Sequence, residues 1–197
     1  MNKYKIIGIT GRKFNGKDTI ANYLRDAYGY RQIAFAGPLK EICGKLFGFT
    51  NEQLHGNLKE TPDPTWFGLT PRQVLQFVGT NMFRDHMSEL NDNFGNDFWL
   101  LCARKTMEKI FKEDETAKFV ISDVRFPNEV EMIKQMGGVV LRVSRPSLND
   151  NKNVDTHISE LLIDELDVDC DVINNATKEE LYNKIHNLFY EKMVICI

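Results

Sequence analysis

Short, nearly unbroken apolar runs alternate along this chain with longer stretches of helical periodicity. The runs are "KIIGI" (5–9), "QIAF" (32–35), "KFVIS" (118–122), "VVLRV" (139–143) and "CDVIN" (170–174). Runs that are apolar throughout, rather than apolar at every second position, suit strands buried on both faces. Their alternation with helices predicts an α/β fold: a three-layer sandwich with a five-stranded parallel sheet and helices on both faces. Ile20, Ala21, Leu24 and Tyr28 recur at helical spacing after the first run, and "EELYNKIHNLFYEKM" forms another amphipathic helix near the end of the chain. A further helix is expected from Thr70-Pro71, a capping residue followed by proline at the first helical position, with Val74, Phe77, Val78 and Met82 on its apolar side. "HGNLKETPDPTWFG" and "RPSLNDNKNVD" read as polar loops. No internal repeat or low-complexity segment interrupts the pattern, and one domain is the expectation.

Composition narrows the chemistry without changing this picture. The 197 residues are 42% hydrophobic and 27% charged, enough for one sizeable core. A net charge of -3 supplies no broad basic field, so a nucleic-acid polymer is not the expected partner and any basic site must be local. Cys43, Cys102, Cys170 and Cys196 are far apart and lack the spacing of a zinc site, which fits a reduced interior. No charged-then-apolar leader is visible, and no apolar run approaches the roughly 20 residues that span a bilayer. The expectation is a soluble, cytoplasmic protein without a membrane partner.

The candidate chemistry begins at "GRKFNGK", which follows a strand and opens a helix. In that context a Gly-x4-Gly-Lys match reads as a phosphate loop, the plain alternative being a glycine-rich β-to-α turn with a solvated lysine. Gly11 and Gly16 permit backbone angles that turn successive N–H groups inward, the helix N-terminus adds partial positive charge, and Lys17 supplies a full one. Asp18 stands where such loops usually carry Ser or Thr, and a carboxylate beside phosphate oxygens is repelled unless a cation intervenes. Two readings are open: Asp18 holds Mg²⁺ while Thr19 offers its hydroxyl to phosphate, or Asp18 is an acid favoured by the dipole of the first helical turn.

"KFVISDVRFPNEVE" ends an apolar strand in Asp123, with Arg125 and Glu129 after it. Ligands of parallel sheets gather at the carboxyl ends of the strands, so Asp123 is expected on the same side as the loop. Arg125 is a candidate for phosphate and Glu129 for a sugar or base, or the two form a surface ion pair. Transfer between two phosphates needs a second set of cations beyond the loop; Lys13, Lys40 and Arg72 are candidates. Arg72, Gln76 and Gly79 fall on one helical face, where a glycine leaves room for a ligand, unless that face is only solvated. Trp99 either stacks on a base or joins the core. The loop about 145–157 is long enough for a lid, with Arg142 and Arg145 at its base to neutralise developing charge; the plain reading is a surface connection. His157 reads as structural or lid-positioning.

Taken in order, "GRKFNGKDT", "AFAGPLKE", "TPRQVLQFVGT" followed by Arg84, "DFWL", "VISDVRFPNEVE", "GGVVLRVSRP", "DTHISE" and "DVINN" resemble the deoxynucleoside monophosphate kinases of bacteriophages and large viruses, nearly end to end. The resemblance implies a single P-loop kinase domain over residues 1–197, with a helical acceptor-binding insertion about 38–113 and a small lid about 145–157. It implies ATP as phosphoryl donor, Mg²⁺ as cofactor, a deoxynucleoside monophosphate as acceptor, and the cytoplasm of an infected host as location if the source is viral. By matching motif positions, the donor grip falls on Phe14, Asn15, Gly16, Lys17, Asp18, Thr19 and Ile20, with Asp18 as metal residue. Acceptor contacts fall on Lys13, Leu39, Lys40, Arg72, Gly79, Thr80, Trp99, Asp123, Arg125 and Glu129, and the catalytic set is Lys17, Asp123, Arg125 and Arg145. Asp after the loop lysine is usual in this family, whereas Asn81 departs from the acid often found after Gly-Thr, and residues 50–68 match poorly. Relatives suggest a homodimer, although no interface is legible in the chain.

Two alternatives remain at this level. An animal-type phosphomevalonate kinase also has a loop ending Gly-Lys-Asp, a Gly-Pro-Leu-Lys and a Ser-Asp-x-Arg. A P-loop NTP-binding switch would read guanine with Asn-Lys-x-Asp, but "NKNVD" has the wrong spacing and the extra cations have no role there.

Overall fold

The computed structural model describes residues 4–94, 96–146 and 162–191. In chain order the elements are β1 (Ile6–Thr10), α1 (Lys17–Tyr28), β2 (Arg31–Ile33), α2 (Gly37–Phe47), α3 (Asn51–His55), α4 (Pro71–Gln76), α5 (Met87–Leu90), α6 (Phe98–Glu113), β3 (Phe119–Ile121), α7 (Pro127–Gln135), β4 (Val139–Ser144), β5 (Cys170–Ile173) and α8 (Lys178–His186). π-Helical stretches continue α4 over Phe77–Asp85 and α8 over Asn187–Glu191. All but two residues of the expected lid loop, together with His157, lie outside the described residues.

The chain divides into two compact units, one of residues 1–34 and 106–197, the other of residues 35–105. The first holds the five strands in the order β2-β3-β1-β4-β5, every neighbouring pair parallel, as the apolar runs require. Strand β1 is buried at all five positions because it has strands on both sides and helices on both faces. Ile7 and Ile9 pack with Ile20, Ala21 and Leu24 of α1 and Leu181 and Ile185 of α8. Gly8, pointing the other way as alternate strand residues must, meets Ile133 of α7, whose Cδ1 lies 2.7 Å from where a Cβ would sit. Strand β2 is shorter than its apolar run, Arg31–Ile33, since it is an edge strand registered only with Phe119–Ile121.

The second unit is helical, with a core of Leu39, Cys43, Phe49, Leu54, Val74, Leu75 and Val78. Helix α4 starts as its sequence predicts: the Thr70 side chain accepts from the Gln73 amide, the Gln73 side chain accepts from the Thr70 amide, and Pro71 occupies the first turn. Its continuation differs from the expected apolar stripe. Val74 and Val78 are buried, but Phe77 and Met82 are exposed, and Leu75 takes their place inside. Val74, Leu75 and Val78 share one α-helical face, which leaves Phe77 outside it, and the π-helical path from Phe77 turns Met82 away from the stripe that 3.6-residue periodicity predicts. Among the described residues no helix is long and apolar enough to cross a membrane.

Candidate active site

In this sheet order the chain leaves β1 for one side and later returns to the other, so the loop after β1 lies at the topological switch, where ligands of open parallel sheets bind. Neighbouring strand ends hold the loop in shape. Gly11 has φ 140°, and a Cβ there would sit 2.3 Å from the Val143 carbonyl oxygen. Gly16 has φ 107°, and a Cβ would meet the Asn174 amide nitrogen at 2.7 Å. Both glycines are required by close approach as well as by backbone angle. Asn15, 3% exposed, braces the loop from inside: its Nδ2 donates to Val143 O at 3.0 Å, and its own carbonyl accepts from Asn174 Nδ2 at 2.9 Å.

Lys17 folds back over this loop, its ammonium donating to the carbonyls of Gly11 (2.7 Å) and Arg12 (2.9 Å). The N-terminus of α1 carries no side-chain cap, and Gly16 occupies the cap position. Backbone amides, helix dipole and ammonium thus converge as a phosphate cradle requires. Phe14 is 73% exposed with φ 67°, and the Lys13 ammonium lies 5.1 Å from its ring centroid. Ile20 plays a different part from the one its motif position suggests. Its side chain is fully buried, and its amide donates to Gly16 O at 3.1 Å, so it anchors the helix beneath the loop.

Asp18 is exposed and accepts from the Ser122 hydroxyl at 3.1 Å, which brings the residue after the loop lysine against the end of β3. Asp123 and Arg125 follow, both half-buried. Glu129 is 6% exposed, and its Oε2 accepts from the amides of Arg125 (2.6 Å) and Phe126 (3.0 Å). This carboxylate oxygen caps α7 and fixes the Asp123–Arg125 segment, and the burial of Glu129 excludes an exposed ion pair. Arg142 is likewise occupied. Its guanidinium donates to Asp171 (2.7 Å) and to the carbonyls of Asp164 (2.8 Å) and Ile163 (3.3 Å), and the Asp171 hydrogen bond raises its pKa further. It pins the β4–β5 edge, leaving Arg145, exposed, as the candidate at the base of the expected lid.

The other acceptor candidates belong to the second unit. Arg72 pairs with Glu60 at 3.1 Å. Lys40 donates to His55 Nδ1 at 3.3 Å, and partial burial, then the nearby charges of Lys40 and Lys59, lower the His55 pKa. Thr80 is exposed. Gly79 leaves room for a core leucine rather than a ligand, since a Cβ there would meet Leu39 Cδ2 at 2.6 Å. Trp99 packs against the same core and donates its indole N–H to Gly79 O at 2.9 Å, a stable place for a half-buried indole.

Several of these partners carry no motif of their own. Ser122 and Asn174 are polar residues ending apolar strands and lie inside the stretches "VISDVRFPNEVE" and "DVINN", but neither is singled out there as a site residue. His55 and Glu60 lie in the stretch that matches the family poorly.

A five-stranded parallel sheet with a glycine-bounded phosphate loop between its first strand and first helix is the P-loop α/β fold. The fold is shared with dephospho-CoA kinase from Campylobacter jejuni, at 14% identity and a TM-score of 0.51 over 96% of this chain and 100% of that one. Residues 65–185 match the family model for deoxynucleotide monophosphate kinase. A protein of Acanthamoeba polyphaga mimivirus bearing the same family name is 39% identical over 183 residues, spanning 91% of this chain and 93% of its own. The deoxynucleotide monophosphate kinase of Enterobacteria phage T4 is 24% identical over 93% of this chain and 98% of its own length. The chain belongs to the deoxynucleotide monophosphate kinase family. Membership selects a nucleotide kinase over phosphomevalonate kinase and over a switch module, and the kinase family implies ATP as donor.

Proposed function

We propose that this chain transfers the γ-phosphoryl group of ATP to the phosphate of a deoxynucleoside monophosphate, giving ADP and the deoxynucleoside diphosphate. The observation that carries the donor half is Lys17 folded over a loop that Val143, Asn15 and Asn174 hold in shape. The loop amides and Lys17 bind the donor phosphates, and Thr19 adds a hydroxyl. The acceptor is assigned to Lys13, Asp123 and Arg125 of the first unit and to Lys40, Arg72 and Thr80 within the helical insertion 38–113. Glu129 serves this set through its hold on the Arg125 amide, and Leu39, Gly79 and Trp99 serve it as the packed base under Thr80.

Mg²⁺ fits the residues present. Among the described residues no group of three His, Cys, Asp or Glu could hold a metal by itself, while Asp18 with its hydroxyl partner is the sparse donor set that suits a cation accompanying phosphates. When bound, Mg²⁺ would neutralise donor phosphate charge beside Asp18. The remaining work is positioning and charge stabilisation: Lys17 holds the donor, while Lys13, Lys40, Arg72, Arg125 and Arg145 align the acceptor and oppose charge that spreads over the transferring group. Asp123 orients the attacking phosphate. No covalent enzyme intermediate is required.

ADP release measured with each deoxynucleoside and ribonucleoside monophosphate in turn tests this reading. Turnover that depends on a deoxynucleoside monophosphate is expected, and Lys17→Ala should lower it by about a hundredfold or more with an unchanged circular dichroism spectrum. Slow ATP hydrolysis indifferent to every monophosphate, or near-normal turnover in the variant, contradicts it.

A further inference from the structure

Ser122, at the end of β3, is 7% exposed, and its Oγ lies 3.1 Å from Asp18 Oδ1 and 3.3 Å from the amide nitrogen of Gln32. An amide nitrogen only donates, so Ser122 meets Gln32 with a lone pair and its single proton is left for the Asp18 carboxylate. The chain of hydrogen bonds therefore runs one way, from Gln32 on β2 through Ser122 to the first turn of α1. Phosphate loops of the usual kind hold Mg²⁺ with a hydroxyl directly after the loop lysine and a carboxylate from a neighbouring strand. Within the touching pair of this chain the two chemical types have changed places, while Asp123, the residue after Ser122, keeps a second carboxylate at the strand end. The carboxylate follows Lys17, the hydroxyl comes from the strand end, and the pair still touches.

We propose that Ser122 is a positioning residue for the divalent cation of the donor nucleotide: its hydroxyl holds one oxygen of Asp18, leaves the other for the metal, and makes Asp18–Ser122 an interchanged form of the usual hydroxyl–carboxylate pair. Gln32 completes the device by fixing the direction of the serine proton. The inference rests on the donor site proposed above and adds to it the pair that sets metal affinity.

Calorimetric titration with ADP, in Mg²⁺ and in EDTA, separates the two ideas. Wild-type protein should bind ADP more tightly in Mg²⁺. Ser122→Ala should lose about tenfold of that Mg²⁺-dependent gain, the range seen when partners of metal-holding groups are removed, while its EDTA affinity stays at the wild-type value. Ser122→Thr, which keeps the hydroxyl, should retain the gain, and the Mn²⁺ electron paramagnetic resonance signal in ADP should follow the same order. The exchange Asp18→Ser with Ser122→Asp should recover Mg²⁺ dependence that Asp18→Ser alone abolishes, with folding checked by circular dichroism. Ser122→Ala that retains the whole Mg²⁺ effect, or a folded exchange variant without any, overturns the proposal while leaving the donor site standing. Wild-type protein that binds no ADP under either condition removes the donor site and this inference together.

Discussion

Gly11 is the position where the phosphate loop tolerates least. A Cβ would lie 2.3 Å from a backbone oxygen of β4, at a φ of 140°, and neither side of that clash is a flexible side chain. Gly11→Ala should therefore destabilise the protein by about 3 kcal/mol, the upper part of the ordinary range for single substitutions, as read from urea unfolding midpoints. A loss under half a unit would mean that the loop is not held against Val143. His55 and His86 make a second residue-scale test. Partial burial, with Lys40 and Lys59 adding, lowers the His55 pKa from its ordinary 6.5, whereas the hydrogen bond to Glu89 raises that of His86. The unfolded chain thus holds more protons at His55 just below pH 6.5, so the stability tied to neutral His55 is complete above that pH and is lost as pH falls through the shifted pKa. His86 has the opposite sign: its contribution is complete below the ordinary value and fades as pH rises through its raised pKa. Ring-proton NMR titration should find His55 changing at lower pH than His86, and the reverse order contradicts both environments.

Among the elements, the five strands, α1 and the start of α4 were legible because each is dictated by its own few residues: continuous apolar runs, a glycine-bounded turn, a proline after a capping threonine. Local signals also named the loop lysine. They did not reveal Ser122 as partner of Asp18 or Asn174 as brace of the loop, because those contacts join residues 104 and 159 positions apart, and only the strand order brings them together. The helix from Thr70 shows a different limit. Its start was readable from the capping box, but the stripe assigned to its far half assumed 3.6 residues per turn, and the π-helical path over Phe77–Asp85 breaks that period. The consequence is measurable. Leu75→Ala should cost about 2–5 kcal/mol, as for other buried leucines, while Met82→Ala, at a half-exposed site, should cost less than about 1 kcal/mol. Equal losses would restore the unbroken α-helical stripe.

For the whole molecule, the proposed function divides its labour unequally. Every donor-phosphate residue belongs to the unit that contains the sheet, whereas Lys40, Arg72 and Thr80 belong to residues 35–105. Donor binding should therefore be separable from acceptor binding by mutation. A ligand that binds only the folded state adds about 2.7 kcal/mol at one hundred times its dissociation constant, and in a protein of this length each kcal/mol raises Tm by about 2–4 °C. Saturating Mg·ADP should thus raise the wild-type Tm by about 5–10 °C. Lys17→Ala should show little of that rise at the same concentration, because it removes the ammonium that folds over the loop. Arg72→Ala should keep the rise and instead increase the KM for the deoxynucleoside monophosphate. Removing Arg72 also breaks its partly exposed pair with Glu60, which contributes little to stability by itself, and the Tm of the variant without ligand separates any loss of stability from a fall in the Mg·ADP effect. If Arg72→Ala lost the thermal shift while its acceptor KM stayed constant, the assignment of donor and acceptor to different residues of the chain would be wrong.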